Sequence, residues 1–246
     1  MKEIKETKES RQTSFIIAIT GASGSIYGFS LLKALLERSF FVHLIISKPG
    51  FKVIKDELGM FAGMHGDEDA GEGSDPGVSC ENAAEDVTAA PPSAAAAAAV
   101  KEEIVSKFDL YGEAANFVFL NENFLEARIA SGSAKNVKGM AVVPCSMGSL
   151  SRIANGISGN LIERAADVML KERKKLIICP RETPLNDIHL KNMLSLHSSG
   201  AVILPPVPAF YGRPRTVEDI VNFITGRILD NLGIENDVYE RWAGYD

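Results

Sequence analysis

The residues with the most chemical content lie in four short stretches, each directly behind an apolar run that reads as a strand. The first is Thr20-Gly21-Ala22-Ser23-Gly24-Ser25. Gly21 and Gly24 allow a tight turn and a close approach of backbone to ligand. Ser23 and Ser25 add hydroxyl donors, and the helix that follows offers N–H groups at its start, so the stretch suits a phosphate. The same residues also suit a plain strand-to-helix turn with a Ser cap. The second stretch, Ser47-Lys48-Pro49-Gly50, closes another apolar run. The third is Pro144-Cys145-Ser146-Met147-Gly148-Ser149. The fourth, Pro180-Arg181-Glu182-Thr183-Pro184, is charged. Lys171, Tyr211 and Arg227 complete a candidate anion-binding set. Each has a plainer reading beside it. Lys171 sits in a solvated charge run from Leu170 to Lys175, Arg227 is an ordinary cation on an amphipathic helix, and Glu182 stabilises the N-terminus of the next helix.

The elements that must position these stretches follow from periodicity. Phe15–Ile19 is a buried strand, and Ile26, Phe29, Leu32 and Leu36 recur at helical spacing behind it. Phe41–Ile46 is a second strand, followed by a short helix over 51–58. The run from Ala94 starts a helix that Ser93 can cap and that reaches Phe108 through Val100 and Ile104. Strands follow at 117–120 and 139–143, then a helix at 160–174 with Leu161, Ala165, Val168 and Met169 on its buried face. Residues 176–179 are a strand, 187–197 a helix, 201–204 the last strand and 217–232 the closing helix. Strands alternating with helices predict an α/β fold, a doubly wound, Rossmann-like parallel sheet with helices on both faces. Open sheets of this kind bind ligands at the carboxyl ends of their strands, where all four stretches fall.

The 246 residues suit one large domain, or one domain with an insert, and 46% hydrophobic residues support a real core. From Gly59 the composition changes to Gly, Asp, Glu, Ser, Pro and Ala, and residues 61–92 read as a low-complexity, mobile insert that cannot repay its ordering entropy. His65 and Cys80 within it read as bystanders. Residues 59–100 carry eight acidic groups and no Lys or Arg. The net charge of −6 therefore leaves the rest of the chain at +2, the difference between −6 and −8. Neither value points to nucleic acid. No apolar run is long enough to span a membrane. Residues 1–14 form a charged N-terminal extension that resembles neither a secretion signal nor an acid-poor transit peptide. Three cysteines without ligand spacing give neither a disulfide framework nor a metal site, and the expected setting is cytoplasmic.

The first turn departs from a dinucleotide-binding fingerprint. Ser25 and Ile26 stand where further glycines belong, Ser47-Lys48 stands where an acid would hold a ribose, and no Tyr is followed four residues later by Lys. The turn suits one phosphate, as in a mononucleotide. Nothing resembles a nucleophile elbow or a Walker lysine loop.

Taken together and in order, Ile19–Gly24, Ile46-Ser47-Lys48, Pro144–Ser151, Arg164–Arg173, Pro180–Pro184, Gly200–Pro205 and Pro208–Tyr211 resemble the UbiX-type flavin prenyltransferases, within the flavoprotein superfamily that includes flavin-dependent cysteine decarboxylases. The resemblance covers most of residues 15–246 and implies a single flavoprotein domain. It implies that reduced FMN is alkylated with dimethylallyl phosphate and that the prenylated FMN serves a UbiD-type decarboxylase, as in ubiquinone biosynthesis. By motif match, Gly21, Ala22, Ser23, Ser47, Cys145, Ser146, Met147, Gly148 and Arg181 contact FMN. Lys171, Tyr211 and Arg227 hold the prenyl phosphate, with Trp242 of the tail placed beside them. Glu182 is the acid/base group, with Lys171 also assigned to catalysis. The family implies a homo-oligomer, trimer or dodecamer, and no metal.

That chemistry suits the residue types. Cations and a phenol stabilise a leaving phosphate, aromatic faces shelter an allyl cation, and a carboxylate moves the proton. Phe124 stands where relatives often carry Trp, and the acidic insert is absent from typical members. Two alternatives are a flavin-dependent cysteine decarboxylase and a non-catalytic FMN-binding protein. The former carries a Pro-x-Met-Asn-x-x-Met-Trp stretch, against Pro184-Leu185-Asn186-Asp187-Ile188-His189 here. The latter has no need of Lys171, Glu182, Tyr211 and Arg227 together.

Overall fold

The computed structural model describes residues 12–62, 94–242 and 244. Six strands form one sheet: β1 (Ser14–Ile19), β2 (Phe41–Ile46), β3 (Phe117–Asn121), β4 (Val137–Cys145), β5 (Lys175–Pro180) and β6 (Val202–Ile203). Their order is β3-β2-β1-β4-β5-β6, and every neighbouring pair is parallel. All residues of β1 and β2 are buried, which explains why, Ser14 and His43 apart, they are apolar throughout: a parallel strand is covered on both faces.

The helices are α1 (Ser25–Glu37), α2 (Lys48–Leu58), α3 (Ala94–Phe108), α4 (Met147–Ala154), α5 (Leu161–Lys171), α6 (Asp187–Ser198) and α7 (Val217–Leu232). Alternate strand residues feed two core clusters. Ile17, Ile19, Leu44, Val143 and Ile177 pack under α1, α2, α3 and α7. Ile16, Ala18, Ile45, Val142 and Ile178 pack under α4, α5 and α6. Each fully buried Ile, Leu or Val among them contributes about 1.5–3 kcal/mol. The chain reverses its winding between β1 and β4, and the crevice outside the carboxyl ends of those strands is the usual ligand position of an open sheet.

Four expectations are corrected. The stretch Ser47–Gly50 is not a closing turn. Ser47 caps α2 by accepting from the Gly50 N–H at 3.1 Å, and Pro49 lies in the first helical turn, where its missing N–H costs nothing. The helix read over 160–174 ends at Lys171, because Arg173 adopts a φ of 55°. The eight-residue α4, unread in the sequence, begins inside the third stretch, where small residues mask its short apolar face of Met147, Leu150 and Ile153. Finally, Phe61, at the first position of the expected insert, is wholly buried against Phe51. Residues 63–92 of that insert, the Ser93 cap, His65, Cys80 and residues 1–11 of the N-terminal extension lie outside the described residues.

Candidate functional site

All four stretches are stitched together at the carboxyl edge. The Ser47 N–H donates to the Ile19 carbonyl at 2.9 Å, joining the second to the end of β1, directly before the first. Thr20 joins the first to the third. Its hydroxyl donates to the Pro144 carbonyl at 3.0 Å and accepts from the Ser146 N–H at 2.7 Å. The Arg181 N–H donates to the Cys145 carbonyl at 3.1 Å, bringing in the fourth. Gly21 is required by this convergence, since a Cβ there would overlap the Pro49 ring. The Val143–Pro144 and Thr183–Pro184 peptide bonds, which flank the third and fourth stretches, are both cis.

The helix N–H groups assigned to a phosphate at the first turn have another partner. Gly24 adopts a φ of 99°, and α1 has no cap of its own. The Glu57 carboxylate, from the last turn of α2, caps it instead. Glu57 accepts from the Gly24 N–H at 2.8 Å, the Ser25 N–H at 2.9 Å and the Ser25 hydroxyl at 2.6 Å. Burial alone would raise the Glu57 carboxyl. Bonds from Ser23, Ser25 and the Gly24 and Ser25 N–H groups outweigh that and hold it below its ordinary value. Thus α2 touches the first turn at both of its ends. Sequence reasoning passed over Glu57. Its one signal was an acid in the last turn of a helix, where the dipole disfavours it.

The third stretch offers backbone and hydroxyl rather than thiol. Cys145 is fully buried in the core cluster beneath α4 and α5, and burial pushes its thiol up to about 12. Met147 points into the same cluster. The ligand-facing capacity of this turn therefore lies in Ser146, in Gly148, which is exposed, and in the main chain at the start of α4. Ser146 caps α4 by accepting from the Ser149 N–H at 3.3 Å. Small residues, among them the exposed Gly148 and Ser23, leave this edge open to a mononucleotide phosphate.

Arg181 and Glu182 are exposed beside this edge, and Glu182 accepts from the Thr183 N–H at 3.0 Å. Lys171 is elsewhere. It ends α5, four residues before the amino end of β5, whereas Arg181 and Glu182 follow that strand's carboxyl end. Six strand residues, about 16 Å, separate the two edges. There Lys171 pairs with Glu172 beside Gly132. Arg227 lies ten residues into α7, about 15 Å along it, and its nearest acid is Asp230 at 3.4 Å. Asp230 also accepts from Arg241, Tyr239 and Asn236, which clips the C-terminal tail onto α7. The tail carries Trp242 to Tyr211, with ring centres 6.2 Å apart. Tyr211 lines a cavity of about 480 Å³ with Arg213, Phe223 and Tyr239, which Arg227 does not line. Within one chain the structure therefore unites Tyr211 with Trp242. It places Lys171 at the opposite sheet edge from Glu182, so a single copy does not bring those two together.

Among the described residues, no group of three or more His, Cys, Asp or Glu side chains is placed to hold a metal, and no helix is long and apolar enough to cross a membrane.

Comparison with known proteins agrees with this architecture. The Flavoprotein family model matches residues 3–229. The flavin prenyltransferase UbiX of Methanocaldococcus jannaschii is 42% identical over 228 residues, covering 93% of this chain and 97% of that protein. The flavin prenyltransferase UbiX of Alkalihalophilus pseudofirmus is 39% identical, covering 92% and 94%. Among solved structures, AnUbiX (PadA1) in complex with FMN and dimethylallyl pyrophosphate superposes with a TM-score of 0.73 at 33% identity, covering 96% of this chain and all of that one. A dodecameric FMN-dependent UbiX-like decarboxylase from Escherichia coli O157:H7 superposes with a TM-score of 0.69 at 35% identity, covering 94% and all of that chain. With matches of this extent over a sheet whose converging turns fit a mononucleotide, the chain belongs to the flavoprotein family and, within it, to the UbiX flavin prenyltransferases.

Proposed function

We propose that the protein transfers a dimethylallyl group from dimethylallyl phosphate to reduced FMN, releasing inorganic phosphate. The observation that carries this reading is the convergence of the turns after β1, β2 and β4, joined through Thr20, Ser47 and Ser146 at the edge where the sheet reverses. Reduced FMN supplies the nucleophilic ring that accepts the allyl carbon. Gly21, Ala22, Ser23, Ser47, Ser146, Gly148 and Arg181 hold and orient it, with Cys145 and Met147 acting through their main chain. Glu182, exposed beside Arg181, takes up the proton lost on ring closure or delivers one to phosphate. Tyr211 and Arg227 neutralise the leaving phosphate, and Trp242, packed on Tyr211, shields the allyl group from water.

Lys171 joins this set from another copy of the chain, so the working form is a homo-oligomer. Two observations support that assignment. Lys171 lies at the opposite edge of its own sheet, and Ile188, Leu190, Leu194, Val207 and Phe210 leave a broad apolar surface exposed on α6 and the loop after β6. The enzyme acts in the cytoplasm, and its product passes to a UbiD-type decarboxylase.

The test is anaerobic incubation with reduced FMN and dimethylallyl phosphate, followed by mass analysis of the flavin. A prenylated flavin is expected, and recovery of unmodified FMN alone would refute the reading. Mixing Lys171→Ala with Glu182→Gln subunits is expected to restore part of the activity each lacks alone. No recovery in verified mixed oligomers would place both groups in one copy.

A further inference from the structure

A chain of polar contacts, anchored on the buried Glu163, links two of the turns assigned to FMN, and none of its side chains belongs to the expected site. Glu122 follows β3. One of its carboxylate oxygens accepts from the Lys48 N–H at 2.6 Å, directly behind Ser47, and its main-chain carbonyl accepts from the Leu161 N–H at 2.6 Å, at the start of α5. The other carboxylate oxygen accepts from the Asn160 amide at 3.4 Å. Asn160 caps α5 by accepting from the Glu163 N–H at 2.9 Å, and its amide also donates to the Glu163 carboxylate at 3.3 Å. Glu163 is 2% exposed, accepts from the Gly159 N–H at 2.8 Å and pairs with Arg152 of α4. Arg152 lies one turn above Gly148, with its guanidinium 3.6 Å from where a Gly148 Cβ would stand. The path thus leads from Ser47 to Gly148.

We propose that Glu122 is a positioning residue of the flavin site, which holds the turn after β2 in register with the turn after β4. The inference rests on the reading that Ser47 and Ser146–Gly148 contact FMN. Thr20 already ties the first turn to the third, and Ser47 ties the second to the strand before the first, so Glu122 adds the remaining side of the triangle through Asn160, Glu163 and Arg152. Burial raises the Glu122 carboxyl, the Lys48 N–H partly offsets this, and Glu163 adds to it. With its two oxygens facing the Lys48 N–H and the Asn160 amide, the group works as an oriented acceptor. It touches neither the flavin nor the donor in this role.

The experiment measures FMN dissociation constants by flavin fluorescence for Glu122→Ala, Glu122→Gln and Glu122→Asp, with Ser146→Ala as a check on the site itself. Loss of the Lys48 acceptor should weaken FMN binding about tenfold in Glu122→Ala. Glu122→Gln keeps an oxygen at the same reach and should stay within about twofold. The shorter Asp should fall with Ala and serves where the Ala variant does not fold. The KM for dimethylallyl phosphate should not move in any of them. Wild-type FMN affinity in the Ala or Asp variant while Ser146→Ala binds weakly overturns this inference alone. A Gln variant as weak as Ala also overturns it, because the acceptor would not be the operative feature. Wild-type affinity in Ser146→Ala and Glu122→Ala together overturns the assignment of FMN to this turn.

Discussion

Replacing Glu57 by Ala strips α1 of a cap that comes from another helix, and the cost follows from which donors are stranded. Ser25 is wholly buried, so its N–H and hydroxyl lose their acceptor without water to replace it. The Gly24 N–H is better exposed and recovers a solvent partner. A buried donor left unmade costs about 1–3 kcal/mol, and a lost N-terminal cap about 0.5–2 kcal/mol. These describe the same groups and do not add. Because the Glu57 side chain is itself exposed, water reaches part of the gap and the lower half of the range applies, about 1–2 kcal/mol. For a chain of this size each 1 kcal/mol moves Tm by about 2–4 °C, so a fall of about 2–8 °C at pH 7 is expected in thermal denaturation followed by far-UV circular dichroism. The acid dependence has a definite sign. The carboxyl sits below its ordinary value of 4.5 in the folded protein, so its contribution is complete above that pH and disappears as pH falls through the lower folded value. The gap between wild type and Glu57→Ala should therefore close on acidification. A gap absent at pH 7, or one that persists undiminished in acid, would refute the assignment of Glu57 as the cap of α1.

His43, 2% exposed in β2, is held neutral by burial and by Arg128, which lower it from 6.5 to about 4. The unfolded chain binds that proton first, so stability is complete above pH 6.5 and declines towards pH 4, by roughly 3 kcal/mol in all. Urea denaturation of His43→Leu should show a flatter pH profile over that window than wild type, and equal slopes would remove His43 from the acid response. Gly21→Ala drives a Cβ into Pro49 and should weaken FMN binding about tenfold by prising the first turn from α2; unchanged affinity would show that the turn adapts. Glu182→Gln should bind both substrates and turn over slower by a factor on the order of 10²–10⁴ in single-turnover flavin absorbance. Full speed would return Glu182 to the plain role of an acid near the start of α6.

The repeating pattern of this fold was legible in the chain itself. β1 and β2 are almost wholly apolar, broken only by Ser14 and His43, because parallel strands are covered on both faces, and Leu161, Ala165, Val168 and Met169 mark the inner side of α5 by spacing alone. The small-residue stretches behind the strands pointed to the carboxyl edge for the same local reason. Other features were hidden because they depend on distant partners. Glu57 looks like an ill-placed acid on α2 until the fold brings Gly24 and Ser25 to it. Cys145 looks like a ligand-side thiol until the end of β4 turns it into the core. Strand order, and with it the reversal between β1 and β4, is set by which faces find cover, which no local spacing encodes. Lys171 and Glu182 are eleven positions apart in the chain, and only the direction of β5 decides that they stand at opposite edges of the sheet.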